Sequence, residues 1–216
     1  LRSQDVNMPL SSEELARTRQ VYTALTAEAA RQRPVLVVWP ESVLAGDPDA
    51  DPVVAEWVTR SARLAHAWLL AGGPYVDKRG RQFNSAYLYT ASGNQVARYD
   101  KVQLVPFGEW VPFKFLADHI GILNQMGDLV PGQAAQDLLR TPLGTTAVGI
   151  CYEATFPRWN RADAERGAAA IINVTNDGWY KDTWGPHLHF GSNFFRAIEN
   201  RVSVVRCGNT GISAVI

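Results

Sequence analysis

Three residues of this 216-residue chain have the types and settings that covalent acyl chemistry requires: Glu41, Lys101 and Cys151. A cysteine attacks a carbonyl only as its thiolate, so it needs a base or a positive charge beside it. The segment Gly149-Ile150-Cys151-Tyr152-Glu153 supplies neither, so any base must come from elsewhere in the chain. Glu41, in Val37-Val38-Trp39-Pro40-Glu41-Ser42, lies just past a buried strand, where burial can make a carboxylate a usable general base. Lys101, in Tyr99-Asp100-Lys101, enters a proline-rich apolar loop, where an ammonium can stabilise a developing oxyanion. Glu109 can hold that lysine by charge pairing. Taken singly, these residues also read as a loop or cap acid, a surface lysine and a core thiol. Taken together they form an ordered set, each at the carboxyl end of a strand, the edge where α/β sheets collect active sites.

The elements that must position them follow from the pattern. Ser11 and Glu14 have capping-box spacing ahead of a helix running to about Gln32. Val35–Trp39 is a short buried strand ended by Pro40, Pro52 to about Ala67 a helix, and Trp68–Val76 another buried strand. Ser85–Thr90 and Gln95–Tyr99 flank Ser92-Gly93-Asn94 and predict a hairpin. Thr145–Tyr152, Ala168–Thr175 and Val202–Cys207 read as strands, with Pro157–Arg166 and Pro186–Arg201 as helices. Strands alternating with helices make the class α/β, in a single domain over 1–216. The stretch from Val105 to Gly132 departs from this regularity. Pro106, Pro112 and Pro131 interrupt it, and Trp110, Phe113, Phe115, Leu116, Ile120, Ile122, Leu123 and Met126 make it apolar, so it predicts a functional loop or arm. Trp57 and Trp68 read as core.

Composition bounds the function. Apolar residues make up 46% and charged residues 19%, which suits a packed core and argues against disorder. Lys+Arg and Asp+Glu both count 21, so no basic excess points to nucleic acid. Two cysteines, Cys151 and Cys207, are too few for a disulfide scaffold. No segment approaches the roughly 18–20 apolar residues of a membrane span, and the chain as given reads as a soluble piece. Its last residues, Ile212–Ile216, read as a strand that stops without a turn or partner, and both ends read as cut from something longer. His187 and His189 invite a metal reading, but no carboxylate or cysteine stands at ligand spacing. They read as packing or hydrogen-bonding residues; no metal and no cofactor is expected.

These segments together resemble the nitrilase, or carbon-nitrogen hydrolase, superfamily, whose triad is Glu, Lys and Cys in that chain order. Trp39-Pro40-Glu41-Ser42, Tyr99-Asp100-Lys101 and Gly149-Ile150-Cys151-Tyr152-Glu153 carry the likeness. Within the superfamily the chain is similar to the catalytic domain of the bacterial apolipoprotein N-acyltransferase family. That likeness rests on Leu104-Val105-Pro106-Phe107-Gly108-Glu109-Trp110-Val111-Pro112, on Asn176-Asp177-Gly178-Trp179, on Gly185-Pro186 with His189-Phe190, and on Arg206 with Asn209–Ile216. Gly178, Tyr180, Lys181-Asp182 and Cys207 depart from the family pattern.

The resemblance implies an αββα sandwich of two sheets with the triad in a cleft at one end. It implies Glu41 as base, Lys101 as charge stabiliser, Cys151 as nucleophile and Glu109 as a second required glutamate. Tyr152, Glu153, Trp110, Asn176 and Trp179 become candidate substrate-binding residues. It further implies a phospholipid acyl donor, an apolipoprotein acceptor and a membrane surface as partners. The expected location is the bacterial inner membrane, with this domain on its periplasmic or outer face and the 105–132 arm toward the bilayer. Two other readings stay open: a soluble amidase using the same residues on a small amide, and a catalytically dead binding module.

Overall fold

The computed structural model describes residues 11–111 and 128–216. Helix α1 (Ser12–Ala30) begins with the capping box foreseen from sequence: Ser11 Oγ accepts from Glu14 N at 3.2 Å, and the Glu14 carboxylate accepts from Ser11 N at 2.8 Å. Strand β1 (Leu36–Val38) follows, then α2 (Pro52–Ala65), capped by the Asp51 carboxylate and opened by Pro52. Strands β2 (Trp68–Val76), β3 (Gln82–Tyr89) and β4 (Gln95–Asp100) complete the first half. The second half holds β5 (Leu139–Thr141), β6 (Gly144–Ile150), α3 (Pro157–Glu165), β7 (Ala170–Thr175), α4 (Gly185–Asn200), β8 (Ser203–Gly208) and β9 (Ala214–Val215). Short 3-10 turns, Cys151–Thr155 and Asp177–Tyr180, leave the ends of β6 and β7.

Two sheets result, with orders β1-β2-β3-β4 and β5-β6-β7-β8-β9. The pairs β1·β2, β6·β7 and β7·β8 are parallel, and their crossovers run through α2, α3 and α4. Period-2 alternation sorts the side chains into layers. Leu70, Ala86, Leu88, Val148, Ile150, Ile172 and Val174 pack between the sheets. Leu69, Ala71, Tyr87 and Tyr89 point instead to α1 and α2, meeting Tyr22, Trp39, Val54 and Val58. Ala147, Ile171 and Val204 face Ala197 of α4. The layers are therefore helices, sheet, sheet, helices, the αββα sandwich that the sequence implied. Trp57 and Trp68 are half-buried against the helix-side and inter-sheet cores.

Several boundaries differ from the sequence reading. The strand expected to end at Tyr152 ends at Ile150, because Cys151 takes a φ of +50° that no strand residue can hold. The hairpin's first strand starts at Gln82 rather than Ser85, and β5 was not foreseen. The terminal strand does have a partner: Ala214–Val215 pairs antiparallel with β8, and Ile216 exchanges two 2.9 Å backbone bonds with Val204. Most of the apolar arm, from Pro112 to Gly127 by way of Phe115 and Ile122, lies outside the described residues.

One glycine lets the first sheet approach the loop after β1. A Cβ on Gly72 of β2 would lie 2.6 Å from the Pro40 carbonyl oxygen and 2.7 Å from Glu41 Cα. Gly72→Ala should therefore push the Pro40–Ser42 backbone off the sheet and destabilise the fold by about 1–3 kcal/mol. Denaturant unfolding measures this; unchanged stability would show that the loop gives way freely.

Candidate active site

Glu41 reaches its place through a sharp exit from β1. Pro40 has no N–H to continue the ladder, Ser42 adopts a φ of +58°, and Leu44 N returns to the sheet at Gly72 O, 2.9 Å. The carboxylate is left buried. Its Oε1 accepts from Asn84 Nδ2 at 2.7 Å and lies 3.5 Å from Lys101 Nζ; its Oε2 accepts from Asn176 N at 2.8 Å.

Lys101 follows β4, and its side chain is 1% exposed. Nζ donates to Glu109 Oε1 at 2.8 Å, and the same oxygen accepts from Asn84 Nδ2 at 2.9 Å. Glu109 Oε2 accepts from Val105 N at 2.8 Å, which closes the turn that holds Phe107 at a φ of +61°. One ammonium and one amide thus sit between two carboxylates. Burial acts to lower the lysine pKa, but the charges of Glu41 and Glu109 and the hydrogen bond to Glu109 outweigh it and hold the ammonium above its usual range. The chain returning from the arm is fastened here too: Leu129 N donates to Glu109 O at 2.9 Å and Gly132 N to Lys101 O at 2.8 Å. Gly132 has no room for a Cβ, which would collide with the Asp100 carbonyl.

Cys151 opens the 3-10 turn at the end of β6 and is buried. Burial, with the Glu41 charge adding to it, pushes its thiol up to about 12, while Lys101 pulls the other way. The resting thiol therefore keeps its proton at neutral pH and needs a base to remove it. Glu153, two residues on, ties the cysteine turn to the lysine segment. Its carboxylate accepts from Ile150 N at 2.7 Å, Val102 N at 2.7 Å, Gln103 N at 2.9 Å and the Tyr99 hydroxyl at 3.0 Å. Burial raises its pKa, and these backbone donors act against that rise.

Of the four residues expected to act together, Glu41, Lys101 and Glu109 thus meet directly, and the Cys151 thiol feels the charges of Glu41 and Lys101. Glu153 is beside them with its carboxylate committed to the backbone. Asn176 touches Glu41 through its main chain, while its side chain accepts from Gly178 N at 3.0 Å and Asn209 Nδ2 at 2.6 Å. Tyr152 is half-buried, edge-on to Phe156. Trp110 and Trp179 are 38% and 46% exposed, one next to Glu109 and the other in the turn after β7. Cys207 Sγ donates to Val38 O at 3.2 Å, joining β8 to β1 beneath the glutamate loop. His189 is buried and hydrogen-bonded, as expected of it, whereas His187 is exposed against Trp184.

Sequence reasoning missed Asn84. It lies near the start of β3, one residue before the strand read from sequence, and its only signal was an amide beside a buried run, where it needs partners.

A family model described as carbon-nitrogen hydrolase matches residues 6–216. The chain belongs to the carbon-nitrogen hydrolase family. Among curated relatives of the chain, an apolipoprotein N-acyltransferase of Geobacter metallireducens is 35% identical over 204 residues, covering 92% of this chain and 39% of the relative. Another, from Agrobacterium fabrum, is 39% identical over 203 residues, covering 90% of this chain and 38% of the relative. The chain thus spans well under half the length of these relatives. Solved structures agree in fold. An amidase of Nesterenkonia, with acrylamide added at its active-site cysteine, superposes with a TM-score of 0.71 at 20% identity, covering 94% of this chain and 79% of that one. A carbon-nitrogen hydrolase of Helicobacter pylori gives 0.70 at 16% identity, covering 92% and 70%.

The electrostatics make a signed prediction. The Glu41 charge helps hold the thiol proton on Cys151. Glu41→Gln, in a Cys207→Ser background, should therefore move the midpoint of Cys151 alkylation by iodoacetamide to lower pH. An unchanged or higher midpoint would mean that the glutamate charge does not reach the thiol.

Proposed function

We propose that this chain is the catalytic part of an apolipoprotein N-acyltransferase, which moves a fatty acyl chain from a phospholipid, through a thioester on Cys151, to the N-terminal amine of an apolipoprotein. The observation that carries this reading is the identity of 35% and 39% to relatives of that name along nine-tenths of this chain. The meeting of Glu41, Lys101 and Glu109, with the Cys151 thiol under the influence of their charges, supports it.

In the first half-reaction Glu41 takes the Cys151 proton, and the thiolate sulfur attacks the ester carbonyl carbon of the donor. The new oxyanion is stabilised by the Lys101 ammonium, which Glu109 keeps in place. The intermediate collapses, the C–O bond breaks, and the leaving alkoxide takes the proton from Glu41 and departs as lysophospholipid. In the second, the acceptor amine attacks the thioester carbonyl and gives a proton to Glu41. The C–S bond breaks, and the sulfur recovers that proton, leaving an amide on the acceptor. All groups in these steps belong to the protein or its two substrates.

The donor is a lipid, so the site must open toward a bilayer. Phe107 and Trp110, 53% and 38% exposed at the root of the arm, begin the apolar surface that such an approach needs. Among the described residues no helix is long and apolar enough to cross a membrane. In this reading the domain stands at the outer face of the bacterial inner membrane and is held there by parts of the protein beyond these residues.

Incubation with phospholipid vesicles should add one acyl mass, located on Cys151. Cys151→Ala should abolish the adduct, Glu41→Gln should stop its formation, and Lys101→Met should slow it by roughly 10²-fold or more. Acyl label on Cys207, or efficient hydrolysis of small amides with no acyl transfer from phospholipid, would overturn the reading.

A further inference from the structure

The turn that carries Cys151 is gripped from behind by buried polar side chains that the chemistry above does not use. His189 Nε2 is 2.9 Å from the Cys151 carbonyl oxygen. A carbonyl oxygen only accepts, so Nε2 carries a hydrogen and donates. On the other side of the ring, His189 Nδ1 is 2.9 Å from Asp177 Oδ1, a carboxylate oxygen that likewise only accepts, so Nδ1 donates as well. Asp177 is fixed in turn by Arg206, whose NH2 donates to Oδ2 at 2.6 Å while its NH1 donates to Asn173 Oδ1 at 3.1 Å. Asn173 Nδ2 adds a long 3.4 Å bond to the same Cys151 carbonyl. The next carbonyls of the turn are held likewise: Arg196 NH1 donates to Ala154 O at 2.9 Å, and Asn160 Nδ2 lies 3.5 Å from Glu153 O. His189, Asp177, Asn173 and Arg206 are each 3% exposed or less.

This arrangement needs a reason, because Cys151 is held at a φ of +50°, a conformation that costs about 1 kcal/mol or more for a residue with a side chain. In a trans peptide the carbonyl and the following N–H point in opposite directions. Fixing the Cys151 carbonyl against His189 therefore fixes the Tyr152 N–H on the opposite side. We propose that His189, oriented by Asp177, is a positioning residue that turns the Cys151–Tyr152 peptide so that the Tyr152 N–H faces the acyl oxygen as it becomes an oxyanion, opposite Lys101. The proposal rests on the reading of Cys151 as the nucleophile.

Two polar replacements separate the two bonds of the imidazole. His189→Gln can place its amide N–H where Nε2 stands and keep the bond to the Cys151 carbonyl. His189→Asn matches the Nδ1 position, keeps the bond to Asp177 and is too short to reach that carbonyl. Two reactions of Cys151 then serve as readouts. Acylation by p-nitrophenyl butyrate builds an oxyanion; alkylation by iodoacetamide displaces iodide and builds none. His189→Asn should slow acylation about 10- to 100-fold with alkylation within about twofold of wild type. His189→Gln should recover most of the acylation rate. Equal loss of both reactions in the Asn variant, or no loss of acylation, would overturn the positioning role. Failure of the nucleophile reading gives a different result: Cys151→Ala would still be acylated at the wild-type rate.

Discussion

The ammonium of Lys101 sits in the protein interior, 2.8 Å from Glu109 and 3.5 Å from Glu41. Removing such a charge from water costs several kcal/mol, and only paired, hydrogen-bonded neighbours offset it. Leaving one partner of a buried pair without the other typically costs about 3–5 kcal/mol. The first sheet and the loops at its edge are arranged around this constraint. β4 delivers the lysine, the loop after β1 delivers Glu41, the turn after Val105 delivers Glu109, and Asn84 of β3 donates to both carboxylates. The neighbouring carboxylates keep the lysine protonated against its burial, and burial, with the Glu41 charge adding to it, keeps the thiol of Cys151 protonated.

The second sheet solves a different problem, that of presenting a side chain on a strained turn. β6 and β7 are buried, parallel and well paired, so the chain leaves β6 at a fixed point. Glu153 then fastens the turn forward to the lysine segment, and the His189–Asp177–Arg206 network fastens it backward to β7, α4 and β8. Glu153 is thus the seam between the two halves of the site. Its acceptors take up backbone N–H groups at Val102, Gln103 and Ile150 that would otherwise be buried without partners.

Close approach at glycine completes the geometry. Gly72 admits the glutamate loop to the first sheet, and Gly132 admits the returning arm against Asp100. The returning end of the arm is hydrogen-bonded to Glu109 and Lys101 through Leu129 N and Gly132 N, so that end and the charged cluster share a frame.

The sequence by itself determined where the helices start and which residues to weigh as reacting groups. The capping box at Ser11, Pro52 and Pro157 at helix starts, and the β-branched runs of β1, β6 and β7 are local signals that need no partner to be read. Glu41, Lys101 and Cys151 were legible because each has a reactive group just past a strand. The motif residues Asp177, His189 and Arg206 were visible but had no role, since the bonds that unite them span segments far apart in the chain. Asn84 was not visible as a site residue at all, because an asparagine in a strand does not disclose which two carboxylates it faces. The end of β6 was missed by two residues, because a positive φ at cysteine is imposed by carbonyl partners on α4 and β7 and not by the cysteine itself. Tertiary structure decided these points for one physical reason: burying a charge or a strained peptide requires partners from every side, and only the folded chain brings those sides together.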